Sequence, residues 1–286
     1  MAARDERQQA IFRRRRAVAV LLLVLFVVAV WSLLGGGDGQ HARSSAPGPP
    51  PVPGPTPPHA LESAIDRVLG YTTYIEAGTK RRREVALTFD DGPSPWTAQL
   101  VKVLRRRGVP ATFFPVGYGI QRYGRYLQLL KRDGFVIGDH TMTHPVLQRF
   151  DIAAQAKEID GQAALVSCAG LPYPRLFRPP YGSFNQGTLG LITERRMLMV
   201  LWSVNPQDYY RPGARKIVSR TLAGVHPGAI VLMHDGGGDR SQTVAAVNAL
   251  VPKLRKRGYR LVTVPRLLED DPPARFQGPP PNLAGI

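Results

Sequence analysis

The stretch LTFDDGPSP, residues 87–95, decides how the rest of the chain is read. Residues 85–89 form a short apolar run of the kind that makes a buried strand. The run ends in two adjacent carboxylates, Asp90 and Asp91, and a Gly-Pro turn follows. Neighbouring like charges repel, so a strand that ends in both must have a use for each.

Working outward, the same short apolar runs recur at 111–116, 135–138, 175–178, 198–203, 229–233 and 260–264. Helical periodicity fills the intervals near 96–107, 122–132, 149–168, 187–196, 214–223 and 241–257, with a further short amphipathic helix at 60–70. Strands alternating with helices predict a parallel α/β architecture. Seven or so units in this length suit a barrel, with a doubly wound open sheet as the alternative. In a barrel, functional residues gather at the C-terminal ends of the strands. Here Asp90 and Asp91 end the first strand, and His140 and His144 follow the third. Arg178 ends the fourth, Asp208 follows the fifth, and His234 and Asp235 end the sixth.

The 286-residue chain carries a net charge of +17. Four arginines at 13–16 precede an uncharged run at 17–34, AVAVLLLVLFVVAVWSLL, long enough to cross a bilayer. That order predicts a single-pass signal anchor with residues 1–16 in the cytoplasm and the remainder outside. A cleaved signal peptide, giving a secreted protein, is the rival, but no clear small-x-small site follows the run. Residues 35–58 are Gly- and Pro-rich and read as a spacer. From residue 85 onward, 26 Lys and Arg still outweigh 14 Asp and Glu. A domain outside the membrane is not expected to meet nucleic acid. Anionic wall polymers or lipid headgroups suit its charge better, with a plain solvated face as the bland alternative. Cys168 is the only cysteine, so no disulfide can form within the chain.

In GDHTMTHP, His140 and His144 stand four apart, and on a helical turn that spacing would turn both rings to one metal. The pair alone is weak evidence. Asp91 adds a carboxylate, and a set of two histidines and one aspartate leaves positions open on a divalent ion for water and substrate. Such an ion lowers the pKa of water towards about 7. Asp90 is then free to act as base, with Arg178 of RPPYG holding its carboxylate through a guanidinium fork. His234, after the apolar IVLM, supplies the acid that expulsion of an amine requires.

TFDDGPSP, HTMTH, RPPYG, WSVNPQD and VLMHD together resemble, in order and spacing, the polysaccharide deacetylase family, also called the NodB homology domain. The resemblance spans about 83–268. It implies a distorted, TIM-like (β/α) barrel of seven or eight strands, and metal-dependent removal of acetyl groups from a glycan. It assigns Asp90 as base, Arg178 as its orienting residue and His234 as acid. Asp91, His140 and His144 become ligands of Zn2+, or of another divalent ion such as Co2+ or Ni2+. It further implies that the Tyr181 N–H stabilises the oxyanion and that Leu232 lines the acetyl pocket. Trp202, Asp208 and Tyr209 join the substrate side. One motif departs from the family's D-x-x-D-W, reading Asn205-Pro206-Gln207-Asp208-Tyr209. If the missing first acid tunes the histidine, His234 should have a lowered pKa, with Asp208 a partial substitute.

These readings predict a 59–82 extension packed on a catalytic domain at 83–268, with a flexible tail at 269–286. The expected activity is N-deacetylation of an acetylated cell-wall glycan, most simply the N-acetylglucosamine or N-acetylmuramic acid of peptidoglycan. An O-acetyl esterase acting on xylan or another glycan is the first alternative. A non-catalytic glycan-binding envelope protein is the second.

Overall fold

The computed structural model describes residues 58–275. The expected anchor at 17–34 and most of the spacer lie outside the described residues. Among the described residues, no helix is long and apolar enough to cross a membrane.

The described part opens with α1 (Pro58–Leu69) and a short β1 (Tyr74–Ile75). Strand and helix then alternate through β2 (Glu84–Asp90), α2 (Pro95–Arg107), β3 (Thr112–Phe114), α3 (Gly117–Arg132), β4 (Val136–Ile137) and α4 (Ile152–Cys168). The second half continues with β5 (Leu176–Phe177), α5 (Gln186–Glu194), β6 (Leu198–Val200), α6 (Ala214–Gly224), β7 (Ala229–His234), α7 (Ser241–Lys256), β8 (Arg260–Val262) and α8 (Val264–Asp270).

All strand ladders are parallel, as the βα alternation requires. One sheet runs β4-β3-β2-β7, with β8 beside the first half of β2, and the other runs β1-β6-β5. Two isolated bridges join them, Asp139 with Phe177 and Val204 with Val231. The path from β2 through β3, β4, β5, β6 and β7 therefore returns to β2. This agrees with the expected distorted barrel and not with an open sheet.

The pleat of β2 sorts its side chains by parity. Val85, Leu87 and Phe89 join the cluster under α2 and α7, while Ala86 belongs to the opposite cluster with Phe114, Val200 and Ile230. Phe89, Phe113 and Phe135 continue the helix-facing layer, with ring centres 5.2 Å apart at each step. α2 is fixed at both ends. Ser94 accepts from the Trp96 N–H, Thr97 accepts from the Ser94 N–H, and Gly108 closes the helix at φ 58°.

Most expected elements are found, with shifted ends. The runs at 111–116 and 198–203 shorten to three paired residues each. α3 begins at Gly117, five residues before its expected start, because Gly117 and Gly119 hide its first turn from a propensity reading. α8 was absent from the expectation, being seven residues long with Pro265 in its first turn and Thr263 as its cap. β1 was also unread, having only two residues.

Ala64, Ile65 and Val68 of α1 are buried against Leu267 and Leu268 of α8. Ordered structure also passes residue 268, where the flexible tail was expected to begin. Asp271 is buried, Thr79 donates to its carboxylate, and the Tyr71 hydroxyl donates to the Pro273 carbonyl at 3.0 Å. Ile65→Ala should therefore cost about 2–4 kcal/mol of domain stability. The check is the urea midpoint, and a change within error would mean that the extension is not part of the core.

Candidate active site

Register brings the site together. β2 and β7 pair so that Ala86 faces Ile230, Thr88 faces Leu232, and Asp90 faces His234. Both strands send their even-numbered side chains inward at the mouth. Simple alternation would send Asp91 to the other face. Its φ of 70° breaks the alternation and turns the second carboxylate back towards the same cleft.

There Asp91 meets the two histidines. Its Oδ1 lies 3.2 Å from His144 Nε2 and 3.5 Å from His140 Nε2. The expectation of a helical turn at 140–144 is not borne out. The segment is a loop with Thr141 at φ 68° and His144 at φ 63°, and that backbone, not helical spacing, aims both rings inward. Asp139 Oδ1 accepts the Thr141 N–H at 2.8 Å and holds the turn.

A divalent ion fits this trio. His140 Nδ1 lies 2.5 Å from the Arg178 carbonyl, which can only accept, so Nδ1 carries the proton. That leaves the lone pair of Nε2 facing Asp91 Oδ1, an acceptor against an acceptor. Asp91 Oδ1 is also buried without a hydrogen-bond partner among the described residues. Three ligand atoms lie within 4.8 Å of one another. The measured separations match the edge of about 3.3 Å of a tetrahedron with metal–ligand bonds of about 2.0–2.1 Å.

Asp90 is held differently. Arg178 is fully buried, and its Nη1 donates to Asp90 Oδ1 at 2.8 Å and to Thr88 Oγ1 at 2.7 Å. Its Nε donates to the Val200 carbonyl at 2.8 Å, and its Nη2 to the Leu201 carbonyl at 3.1 Å. The fork expected from sequence is thus a single contact to the carboxylate. The remaining donors anchor the guanidinium to β6, and its plane stacks 4.3 Å from the Phe114 ring centre. Asp90 Oδ2 is left towards the cleft, 3.7 Å from His140 Nε2.

Across the cleft, His234 Nδ1 donates to Asp208 Oδ1 at 2.7 Å, and the His234 backbone N–H donates to Oδ2 at 2.9 Å. Thr243 Oγ1 donates to the same Oδ2 at 2.8 Å. Burial pulls the imidazole pKa down, but the bond and charge of Asp208 raise it above the usual histidine value, helped by Asp91 and Asp90. Asp208 thus supports the imidazole where position 205 carries an amide. Asp208 is the partner, while Asn205 Oδ1 accepts the Gln207 N–H at 2.9 Å and lines the cleft.

The cleft encloses about 460 Å3, and its lining brings together the side chains expected to face substrate except Asp208, which is buried behind His234. Asp90, Asp91, His140, His144 and His234 occupy the floor, and Tyr181, Trp202, Tyr209 and Leu232 the walls. Arg178 and Asp208 lie behind them. Tyr181 stands at φ 59° with its ring exposed and 4.6 Å from that of His144. Tyr210, also exposed, extends the Tyr209 wall and was not read from sequence.

Sequence reasoning also missed the supporting polar groups Thr88, Asp139 and Thr243. Asp235, read from sequence only as a polar residue ending the sixth strand beside His234, has its carboxyl buried and pushed up to about 7, chiefly by burial, while Thr97 Oγ1 donates to it at 2.5 Å.

These features are those of a hydrolase-type cleft, with residues that could hold a divalent ion, at the mouth of a parallel barrel. The profile described as "Polysaccharide deacetylase" matches residues 77–199. A chitooligosaccharide deacetylase of Bradyrhizobium sp. (strain ANU 289) is 39% identical over 198 residues, covering 65% of this chain and 90% of that protein. A peptidoglycan-N-acetylglucosamine deacetylase of Bacillus cereus is 38% identical over 203 residues, covering 70% and 93%. Among solved structures, the Bc1960 peptidoglycan N-acetylglucosamine deacetylase in complex with 4-naphthalen-1-yl-N-oxidanyl-benzamide superposes with a TM-score of 0.67. It is 31% identical, with 74% of this chain and all of that one covered. The chain belongs to the polysaccharide deacetylase family and is an enzyme of that family.

The paired His234 and Asp208 generate a pH expectation. An acid must carry its proton, so activity should fall as pH rises through the His234 pKa. Asp208→Asn removes the anion that raises this pKa, so the basic limb of the kcat/KM profile should move to lower pH by about one unit or more. A limb that stays in place would show that Asp208 does not set it.

Proposed function

We propose that the protein is a metal-dependent N-deacetylase acting on a cell-wall glycan, with the N-acetylated sugars of peptidoglycan as substrate. The observation that carries this reading is the convergence of three ligand atoms, a separately held carboxylate and a carboxylate-paired histidine in one cleft. Family membership and the activities for which the relatives are named support N-deacetylation of a polysaccharide.

Asp91, His140 and His144 would hold the ion, which the donor set allows to be Zn2+, Co2+ or Ni2+. When bound, it supplies Lewis acidity and lowers the pKa of water. Asp90 accepts the proton of the attacking water through its cleft-facing oxygen, while Arg178 fixes the other oxygen. The new bond forms at the acetyl carbon and the C–N bond breaks. His234 passes its proton to the leaving amine, Asp208 keeping Nδ1 occupied so that Nε2 acts. In this reading the Tyr181 N–H donates to the acetyl oxygen, and Leu232 and Trp202 shield the methyl group. The expected tether at 17–34 belongs to the proposal and rests on sequence alone. It would keep the domain outside the membrane near its substrate.

The test is amine release from purified peptidoglycan, with chelator and after metal is restored. No metal-dependent amine, or release of acetate only from an O-acetyl ester offered in parallel, would overturn the reading. The two aspartates separate its parts. Asp91→Asn should lose metal affinity by about 10-fold or more. Asp90→Asn should keep the metal and lose about 100-fold or more in kcat. Identical behaviour of the two variants would contradict their separate roles.

A further inference from the structure

Because all ladders are parallel, each helix runs back from the mouth, and helix C-termini gather at the edge opposite the cleft. α7 packs against both α2 and α6. None of these three helices contains an aspartate or a glutamate. α2 ends in Arg105, Arg106 and Arg107, and α7 ends in Lys253, Arg255 and Lys256. A cation in a last turn complements the helix dipole. The same dipole favours acids in first turns, and none of the three helices has one, so the bias is in net charge and not in dipole matching.

The run KRRR at 80–83 enters β2 from this same edge. Arg83 Nη2 donates to the Arg257 carbonyl at 2.7 Å, joining the run to the end of α7. Among the described residues, only Arg105 of the cations on these three helices has an acidic partner, Asp133 at 3.7 Å. Between α6 and α7 lies a groove of about 580 Å3. Apolar Val218, Leu222 and Ala249 line it beside cationic Arg215, Lys253 and Arg257.

We propose that this face docks on an anionic lipid surface. Clustered lysines and arginines meet an anionic leaflet favourably without any fixed stereochemistry. The apolar lining beside the cations suits an amphiphile better than a hydrophilic polyanion. The face lies away from the mouth, so occupying it leaves the cleft open and turned outward from the lipid. The inference is independent of the substrate proposed above.

The domain can be tested apart from residues 17–34. Its described residues belong to one compact unit, and the matched segment spans 90% of the Bradyrhizobium relative. The fragment 52–286 should co-sediment with phosphatidylcholine vesicles that contain phosphatidylglycerol, and not with phosphatidylcholine alone. High salt should release it. Combined Lys102→Glu, Arg106→Glu, Lys253→Glu and Lys256→Glu should weaken partitioning about tenfold or more. The same variant should keep its circular dichroism and its rate on a short soluble oligomer. A control with Arg149→Glu and Arg211→Glu, both on mouth-side loops, should partition like the unaltered fragment.

Equal partitioning onto neutral vesicles, or no salt release of the unaltered fragment, would overturn the proposal without any substitution being needed. So would equal losses in the two variants. Tighter binding to soluble polyphosphate than to the anionic vesicles would reassign the face to a hydrophilic polyanion and overturn the lipid assignment.

Discussion

A guanidinium with no exposure to solvent sits at the centre of this barrel, and the site is arranged around it. Burial opposes the charge of Arg178 and pulls its pKa down, while Asp90 pushes the other way. The pair survives because each guanidinium nitrogen finds at least one oxygen, with Thr88, Val200 and Leu201 accepting beside Asp90. Removing one partner of a buried pair strands the other, a cost of about 3–5 kcal/mol. The same residue's carbonyl accepts from His140 Nδ1, so its backbone fixes a ligand tautomer while its side chain fixes the base. Position and protonation of the two halves of the site are thereby coupled through one residue.

The neighbouring aspartates show how little backbone is needed to separate two functions. Strand parity alone gives the cleft one carboxylate, since a second residue in extended conformation would face the helices. One left-handed residue at the strand end brings Asp91 back beside Asp90, and Gly92 follows closely enough that a Cβ there would collide with the Asp235 carboxylate. Repulsion between the carboxylates is offset on the Asp90 side by Arg178.

Much of this was legible because the signals were of the kind that sequence carries well. Alternating apolar runs and helical periods revealed the parallel fold, and motif order placed Asp90, Asp91, His140, His144, Arg178 and His234 at the correct strand ends. What stayed hidden depends on backbone torsion and on partners far apart in sequence. HxxxH spacing suggested a helical turn, but two positive-φ residues in a loop do the work. Asn205 drew attention as a departure from the family pattern, whereas the acid that matters is Asp208, three residues on. Its reach to His234 and Thr243 could be seen only in three dimensions. Thr88 looked like one more strand residue until Arg178 donated to it.

The two sheets, joined only by isolated bridges, carry different kinds of residue. Asp90, Asp91, His140 and His234 all stand at the ends of β2, β4 and β7, within one continuous hydrogen-bonded layer. Tyr181, Trp202, Asn205 and Tyr209 follow β5 and β6 of the other layer. The carboxylates and histidines of the cleft thus share one plate with Leu232, and the aromatic wall stands on its neighbour. A fold divided in this way can explore new polymers by altering one plate while the reaction geometry on the other is inherited unchanged. Arg178, the side chain that reaches from one layer into the other, marks the limit of that freedom.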